Sequence, residues 1–373
     1  MSQDGIQRRG SGNSLSWSPE AWKEGMDMQR VILIGCGQRG RHWGEILKDN
    51  PKVEMAAFVD TNPDTLIEFN VKYRGVPSFT RLEDALEKVE ADFAVLVTPP
   101  WGHKEECLAL FDAGLHVLAE KPLTLGMEDG VEVVEAADAA GLQLGLCLNF
   151  RYLPVSQTYR EWMVEERLGT PSFSLYHYAT NRSGVRPGGN RYPLILEDAM
   201  LIDQSIHHFD LFRYCLNTDI AAVTASTWNP SWSPYAGDAV VSTTFEMENG
   251  MHCVYLGSWT GGWNNTHVNW RTDCSDGIII MQKIHSDLAY ARMSDPTLTD
   301  IPLADEEPYI DDTQHLLKNF IAALEGTEPL ECSGRDHLRT LGPTLACIQS
   351  REERRTISMD EFYRQYGADR LFK

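Results

Sequence analysis

The stretch that decides the fold is Val31-Ile-Leu-Ile-Gly-Cys-Gly-Gln-Arg-Gly40, and Asp60 closes the next apolar run. Four β-preferring residues lead into three glycines at G-x-G-x-x-G spacing. In such a run Gly35 allows a tight turn, Gly37 lets the backbone approach a pyrophosphate, and Gly40 lets the next helix pack closely on the strand. The pattern therefore predicts a dinucleotide site, although a glycine-rich turn in an α/β domain that binds nothing has the same three glycines.

The acid at position 60 indicates which dinucleotide is bound. A carboxylate at the end of the second strand can accept both ribose hydroxyls of NAD, and it would repel the 2′-phosphate of NADP. We therefore expect NAD as the cofactor and consider NADP less favoured. The turn residues Cys36, Gln38 and Arg39 are predicted to contact the cofactor together with the glycines.

Composition limits the class of protein. The chain of 373 residues is long enough for two domains, and its apolar fraction of 42% is that of a globular protein. No apolar run is long enough to span a bilayer, no export signal is recognised, and the eight scattered cysteines fit reduced thiols in a cytoplasm. The formal charge of −21 argues against nucleic acid or an anionic membrane as partner.

The first half of the chain alternates strand-like and helical segments. Residues 1–28 are polar and are predicted to form a flexible extension, whereas residues 29–150 are predicted to form a Rossmann domain. Amphipathic segments such as Lys104–Ala113 and Glu128–Ala140 separate the apolar runs, which predicts a doubly wound parallel sheet. The predicted strands are 31–34, 53–59, 93–97, 115–119 and 142–148.

Residues 151–373 are predicted to form a second, α+β domain for substrate binding and oligomerisation. A helix over 154–168 precedes a half-buried strand at 172–179, a Gly/Pro/Arg loop and a helical stretch over 197–216. Strand-like runs such as 239–247 and 250–259 then predict a large, mostly antiparallel open sheet. The helices of the tail are expected to pack back on the first domain.

Two loops at the ends of predicted parallel strands carry candidate site residues. Thr98, Pro99, Pro100, Trp101 and His103 follow one strand; the prolines would form a stiff wall beside the Thr98 hydroxyl, and His103 would open the next helix near the cofactor. Taken alone, this segment also fits an ordinary loop.

The next strand ends in Glu120-Lys121-Pro122. A lysine at this edge lies where the nicotinamide end of a dinucleotide would reach, and it could hold a substrate hydroxyl and help to move its proton. A solvated loop lysine is the alternative.

The helical segment Leu201–Phe212 carries an acid and a histidine on one predicted face. Asp203 and His207 are four residues apart and could grip one hydroxyl and accept its proton, with Asp210 one turn further on as a carboxylate able to orient the ring. A metal site at His207 and His208 is less favoured, because adjacent histidines point to different faces and no third ligand stands out. An amphipathic helix with capping acids remains the simplest alternative.

These motifs together resemble the glucose–fructose oxidoreductase/inositol dehydrogenase/MocA family of NAD(P)-dependent enzymes. The G-x-G-x-x-G run, T-P-P-x-x-H at 98–103, E-K-P at 120–122 and the D-x-x-x-H pair 203/207 occur in this order, and the resemblance covers roughly residues 29–350. It implies a Rossmann domain followed by an α/β domain whose open sheet often makes the interface of a homodimer or homotetramer. It also implies that Lys121 is the active-site lysine, that Asp203 positions the substrate and that His207 is the general acid/base.

The chain departs from the family pattern just before this pair. Ser205 stands where many members have glycine, and the segment 196–202 lacks the usual Gly-Gly. We therefore expect the entry to this helix, and with it the substrate pocket, to differ from those of other members.

Five of the ten tryptophans suit a sugar-like substrate, since aromatic faces pack on the C–H faces of polyol rings, although such residues more often belong to a core or an interface. They are Trp228, Trp232, Trp259, Trp263 and Trp270. The loop 181–191 adds three arginines and could grip a carboxylate, sulfonate or phosphate. The residues predicted to contact substrate are Lys121, Asn149, Arg151, Tyr152, Arg182, Asp203 and His207.

The sequence thus predicts an NAD-dependent dehydrogenase that oxidises a secondary hydroxyl of a sugar, a sugar derivative or a cyclitol. One alternative is a relative that cleaves glycosides by oxidation, elimination and re-reduction. Another is a cofactor-binding regulator without turnover, although the presence of both Lys121 and His207 argues against it.

Overall fold

The first sheet of the computed structural model, which describes residues 28–182 and 192–372, has six parallel strands in the order β3-β2-β1-β4-β5-β6. Its strands are β1 (Gln29–Ile34), β2 (Val53–Val59), β3 (Ser78–Phe79), β4 (Phe93–Leu96), β5 (His116–Ala119) and β6 (Leu144–Leu146). The connecting helices are α1 (Gln38–Lys48), α2 (Pro63–Lys72), α3 (Leu82–Lys88), α4 (His103–Asp112) and α5 (Met127–Ala140).

Burial explains why this sheet was predictable. Residues 31–33 of β1 and the whole of β4 are fully buried, as expected for parallel strands covered by helices on both faces. Continuous apolar runs mark such strands, so the predicted Rossmann sheet is confirmed. The two-residue strand β3 was not predicted, because Ser78–Phe79 is too short to show any alternation.

The second sheet has nine strands in the order β14-β13-β12-β11-β7-β10-β9-β8-β15. All its pairs are antiparallel except β7–β10, which confirms the predicted mostly antiparallel sheet. Its strands are β7 (Pro171–Ala179), β8 (Ile220–Trp228), β9 (Val240–Met247), β10 (His252–Ser258), β11 (His267–Cys274), β12 (Gly277–Met281), β13 (Ala289–Arg292), β14 (Thr299–Asp300) and β15 (Ile357–Ser358). The helices of this half are α6 (Pro154–Val164), α7 (Tyr192–Ile195), α8 (Ile206–Leu216), α9 (Asp311–Leu324), α10 (Gly334–Glu353) and α11 (Met359–Gln365).

The nine-stranded sheet has one packed face and one open face. On β7 the side chains of Tyr176 and Tyr178 are buried, whereas Phe173 and Leu175, which alternate with them, are exposed. Tyr176 stacks on the buried Trp270 ring with their centroids 5.2 Å apart. Alternation of this kind places the core on one side and leaves apolar side chains in solvent on the other.

The C-terminal helices return to the first sheet. Phe320 on α9 packs on Phe93 of β4 with ring centroids 5.5 Å apart, and Arg335 on α10 pairs with Asp138 on α5 at 2.6 Å. These contacts pack the C-terminal helices against the first half of the chain. Within the described part of the chain, no helix has the length and apolar character needed to cross a membrane.

Candidate active site

A cavity of about 1060 Å³ lies at the carboxyl ends of β1, β2, β4 and β5 and extends to the second half of the chain. Ligands of doubly wound sheets bind at this edge. The predicted site residues that line it are Gly35, Gly37, Gln38, Arg39, Asp60, Thr98, Pro99, Pro100, Glu120, Lys121, Asn149, Arg182, Asp203 and His207.

The glycine loop has the shape that a pyrophosphate needs. Gly35 has a φ of +91°, and a Cβ there would come within 2.8 Å of the Val97 carbonyl oxygen. A Cβ on Gly40 would lie 2.0 Å from the Gly35 carbonyl oxygen, whereas one on Gly37 would meet nothing within 4 Å. Gly37 therefore leaves open space directly before α1, where the helix amides can receive phosphate oxygens.

The Asp60 carboxylate is held at the same end of the cavity. Its Oδ2 accepts a hydrogen bond from the Cys36 amide at 2.7 Å, and its Oδ1 accepts one from the Asn62 amide at 2.8 Å. Burial, together with the negative Asp60, raises the pKa of the Cys36 thiol to about 12. Cys36 thus supplies a backbone amide to this arrangement, while its side chain stays neutral in the core.

An ion pair connects the loops that follow β1 and β5. The Arg39 guanidinium pairs with the Glu120 carboxylate, which also accepts a hydrogen bond from the Trp43 indole at 3.1 Å. Burial alone would raise the pKa of Glu120, but Arg39 outweighs it and the pKa is lowered. The two charged side chains line the cavity next to Lys121.

The predicted residues around Thr98 divide between the wall and the interior. Thr98 lines the cavity and donates a hydrogen bond to Glu106 at 2.5 Å. His103 is fully buried, with Nε2 2.8 Å from the Thr98 carbonyl oxygen and Nδ1 3.1 Å from that of Pro122. His103 therefore joins two loops and does not line the cavity. Cys36, Gly40 and Trp101 do not line the cavity either, and Trp101 is 52% exposed.

Lys121 and Asp203 meet across the cavity although 82 residues separate them. The Lys121 ammonium donates to the Asp203 carbonyl oxygen at 2.7 Å and to its carboxylate Oδ1 at 2.9 Å. The hydroxyl of Tyr192 also donates to Oδ1, at 2.5 Å. Both side chains of the ion pair are nearly buried, so the pair acts in a medium that strengthens charge interactions.

His207 lies beside this pair in a dry environment. Its ring stacks on Phe150 with centroids 4.3 Å apart, and its Nδ1 is buried without a hydrogen-bond partner in the described part of the chain. Burial lowers the pKa of His207 well below its ordinary value, and the positive Lys121 lowers it further. A neutral imidazole here can accept a proton.

A π-helical turn over Met200–Ser205 carries Asp203 and runs directly into α8, which carries His207. Turns of this type are frequent at functional sites. The Ser205 hydroxyl donates to the buried Tyr255 hydroxyl at 3.1 Å and so anchors the turn to β10. The expected difference of this helix entry from other family members stays a prediction.

The structure does not place every predicted substrate residue at the cavity. Arg151 is buried and donates to both carboxylate oxygens of Asp210, at 2.7 and 2.5 Å, and to Asp336 at 2.6 Å. Asp210 consequently does not orient His207, which corrects that expectation. Tyr152 is also buried and donates to Asn319 at 3.2 Å. Residues 149–152 form a 3-10 helix, whose neighbouring side chains point in different directions.

The adjacent histidines diverge as expected. The Nδ1 of His208 lies 2.8 Å from the Tyr255 hydroxyl in the core, away from His207. The described part of the chain contains no group of three or more His, Cys, Asp or Glu placed to hold a metal ion.

Of the arginine loop, the structure describes Arg182, which lines the cavity; Arg186 and Arg191 lie outside the described residues. None of the five tryptophans lines the cavity directly. Trp259 and Trp270 are buried, whereas Trp228, Trp232 and Trp263 are exposed.

Several cavity residues were missed, among them Phe150, Tyr192, Gln204 and Tyr309. Phe150 follows the end of β6, and its position after a parallel strand was a usable signal. Gln204 lies beside Asp203 in the π-helical turn, where its orientation depends on the extra residue in that turn. Tyr192 begins the short helix α7 and Tyr309 lies just before α9, and neither has a local pattern that marks it.

The fold and the cavity define a nucleotide-binding protein of the Rossmann class with a second half that also lines the cavity. Residues 29–147 match the family model described as oxidoreductase family, NAD-binding Rossmann fold, and residues 156–280 match the GFO/IDH/MocA C-terminal domain. The chain belongs to the GFO/IDH/MocA family of oxidoreductases, and the prediction of an NAD-binding oxidoreductase is confirmed.

Similar proteins extend over most of the chain. It is 23% identical to the 1,5-anhydro-D-fructose reductase of Ensifer adhaerens, over 87% of this chain and 96% of that protein. It is 24% identical to the myo-inositol 2-dehydrogenase of Thermotoga maritima, over 89% of this chain and 99% of that protein. An Agrobacterium radiobacter oxidoreductase, solved with NAD+, L-tartaric acid and magnesium, has a TM-score of 0.81 at 19% identity, covering 89% of this chain and 98% of its own.

Proposed function

We propose that this protein is an NAD-dependent dehydrogenase that oxidises a secondary hydroxyl of a sugar, a sugar derivative or a cyclitol. The observation that carries the proposal is the single cavity that contains the dinucleotide loop, Lys121, Asp203 and His207. The substrate class is supported by the relatives named for anhydrofructose and myo-inositol.

In this proposal Lys121, Asp203 and His207 each have a separate role toward the substrate hydroxyls. The neutral imidazole of His207 accepts the hydroxyl proton, and the Lys121 ammonium donates a hydrogen bond to the same oxygen as negative charge develops there. Asp203 holds the ammonium in place at 2.9 Å and accepts a hydrogen bond from a neighbouring substrate hydroxyl. NAD, when bound, supplies the acceptor for the hydride that leaves the carbinol carbon.

The residues at the other end fit the cofactor. Gly37 and the first amides of α1 would hold the pyrophosphate, and Asp60 would hold the ribose hydroxyls. Thr98 and Pro99 would form a wall beside the cofactor ring that lies beyond the pyrophosphate. Cys36 contributes its amide to the Asp60 carboxylate.

A screen of neutral and acidic sugars and cyclitols, with NAD and NADP in parallel, tests the proposal. The absorbance of the reduced nicotinamide measures hydride transfer. We expect reduced nicotinamide to form with at least one polyol and NAD to be preferred, because Asp60 would repel a 2′-phosphate. Release of a glycoside leaving group without net reduction would instead indicate the glycoside-cleaving reaction. Cofactor binding without turnover of any member would favour a regulator.

The lowered pKa of His207 has a consequence for activity at acid pH. Because the base form persists below the ordinary histidine pKa, we expect the acid limb of the kcat/KM profile to fall at a pH below about 6.5. Initial rates measured across a buffer series check this. A limb centred above neutrality would show that His207 is not the proton acceptor.

We further propose that two copies associate through the open face of the nine-stranded sheet. Phe173 and Leu175 expose apolar side chains in the centre of that face, on β7. Light scattering during size exclusion distinguishes the dimer and the tetramer from a monomer.

A cytoplasmic location is also proposed, supported by the eight cysteines, all of which are free thiols.

A further inference from the structure

Arg182 is held rigidly at the end of the cavity that contains Asp203. Its amide donates to the Trp259 carbonyl oxygen at 2.9 Å, and its carbonyl oxygen accepts from the Tyr235 hydroxyl at 3.3 Å. The guanidinium carbon lies 4.2 Å from the centre of the fully buried Trp259 ring. One face of the guanidinium is therefore covered by an aromatic ring, and its hydrogen-bonding edge remains for other groups.

Lys121 and Arg182 share one carboxylate, that of Asp203, among the described residues. Arg39 pairs with Glu120, and Lys121 pairs with Asp203 at 2.9 Å. Arg182 shares Asp203 through a longer contact of 3.5 Å from Nη1 to Oδ2. Asp203 already accepts shorter hydrogen bonds from Lys121 and Tyr192, so the cluster of Lys121, Arg182 and Asp203 holds two positive charges and one negative charge.

A positive charge in excess in a partly buried site is stabilised by a ligand of opposite charge. Arg182 is only 25% exposed in its side chain, so water solvates it incompletely. Its Nε and Nη2 donors make no hydrogen bond to any described residue. A planar carboxylate matches such a free edge, because two parallel N–H···O bonds can form.

We propose that the substrate of this site carries a carboxylate, which Arg182 binds, and that the substrate class is a sugar acid such as a uronate or an aldonate. This proposal rests on the dehydrogenase function proposed above. It assigns to Arg182 the selection of the substrate by charge, while Lys121 and His207 act on the hydroxyl to be oxidised.

The same geometry favours a monoanion over a phosphate ester. One excess positive charge neutralises one carboxylate, whereas a phosphate carries about two negative charges at neutral pH. The second charge would lie close to the Asp203 carboxylate, which is itself 3.5 Å from the guanidinium. A sugar phosphate should therefore bind less well than the corresponding sugar acid.

Matched sugars that differ only at C6 test the proposal. D-glucose, D-glucuronate and D-glucose 6-phosphate, and the same three forms of D-galactose and D-mannose, are compared by initial rates of NADH formation. Calorimetric titration of the protein saturated with NADH gives Kd for the same compounds without turnover. We expect a uronate to exceed its neutral partner by roughly ten- to a hundredfold in kcat/KM and in affinity, as for hydrogen bonds to a charged group.

Substitution of the arginine separates charge recognition from a structural role. Arg182→Gln is expected to lower the ratio of acid to neutral kcat/KM at least tenfold, and Arg182→Lys to keep part of it because the charge remains. Arg41→Gln is the matched control, since Arg41 pairs with Glu68 on the exposed side of α1. It should leave the ratio unchanged.

The outcomes distinguish this inference from the function on which it rests. Equal use or equal binding of neutral and acidic sugars, tighter binding of the phosphates, or failure of every acid to bind would overturn it. An equal loss for both classes in Arg182→Gln would make Arg182 a structural support for Asp203. A preference for acids in calorimetry without NADH formation would uphold the inference and contradict the dehydrogenase function.

Discussion

Lys121→Met is expected to lower kcat by roughly a hundred- to ten-thousandfold while NAD binding is largely kept. The ammonium donates to Asp203 at 2.9 Å beside the buried His207, and in the proposed mechanism it stabilises the oxygen that loses its proton. Methionine has a similar length but cannot donate a hydrogen bond. Stopped-flow single turnovers measure the chemical step, and calorimetry with NAD measures cofactor binding.

Lys104→Met is the matched control for this change. Lys104 pairs with Asp129 and Glu132 on the outer side of α4 and does not line the cavity, so its loss should leave turnover intact. His207→Gln should resemble Lys121→Met in rate. If either site variant loses NAD binding instead of turnover, the proposed division between cofactor residues and proton-transfer residues is wrong.

Arg151→Met is expected to reduce the free energy of unfolding by roughly 3–5 kcal/mol, because it leaves the buried Asp210 carboxylate without its main partner and takes one of two arginines from Asp336. Asp210 is 1% exposed, and Arg151 donates to both its oxygens. Burial by itself raises the pKa of Asp336, but Arg151 and Arg213 outweigh it and hold that pKa well below its ordinary value. Urea unfolding followed by tryptophan fluorescence measures the change.

The control for Arg151 is an exposed arginine in an ion pair. Arg370→Met removes a contact with Glu135 in which both side chains are largely in solvent, so a much smaller change is expected. Arg151→Met combined with Asp210→Leu should recover part of the loss, since the buried charge is removed together with its partner. A single Arg151→Met variant as stable as the Arg370 control would show that the buried network contributes nothing.

Much of the fold was accessible from local pattern. The strands of the first sheet are continuous apolar runs between amphipathic helices, and the structure places them within two or three residues of the predicted ends. Gly40 is required by a contact inside its own loop, with the Gly35 carbonyl oxygen, and Gly35 by its positive φ and by the Val97 carbonyl oxygen of the neighbouring segment. The turn at 200–205 escaped prediction because a π-helical turn has no distinct sequence pattern.

The site was accessible only in part. Lys121 and the pair Asp203 and His207 were expected to act together from the family resemblance, and the structure brings their side chains to one cavity. Arg151 was predicted to contact substrate. Its neighbour Asn149 does line the cavity, but Arg151 turns into the core and pairs with Asp210.

The sequence by itself determined the dinucleotide loop, the two sheets and the residue types that can move a proton. These depend on backbone geometry and on periodic burial, which act over short stretches of chain. Only the tertiary structure decided which charges pair. Asp203 pairs with Lys121 across 82 residues and Asp210 with Arg151 across 59, although both acids lie within one helical segment. Charge pairing depends on distances between side chains from different elements, and no local pattern records those distances.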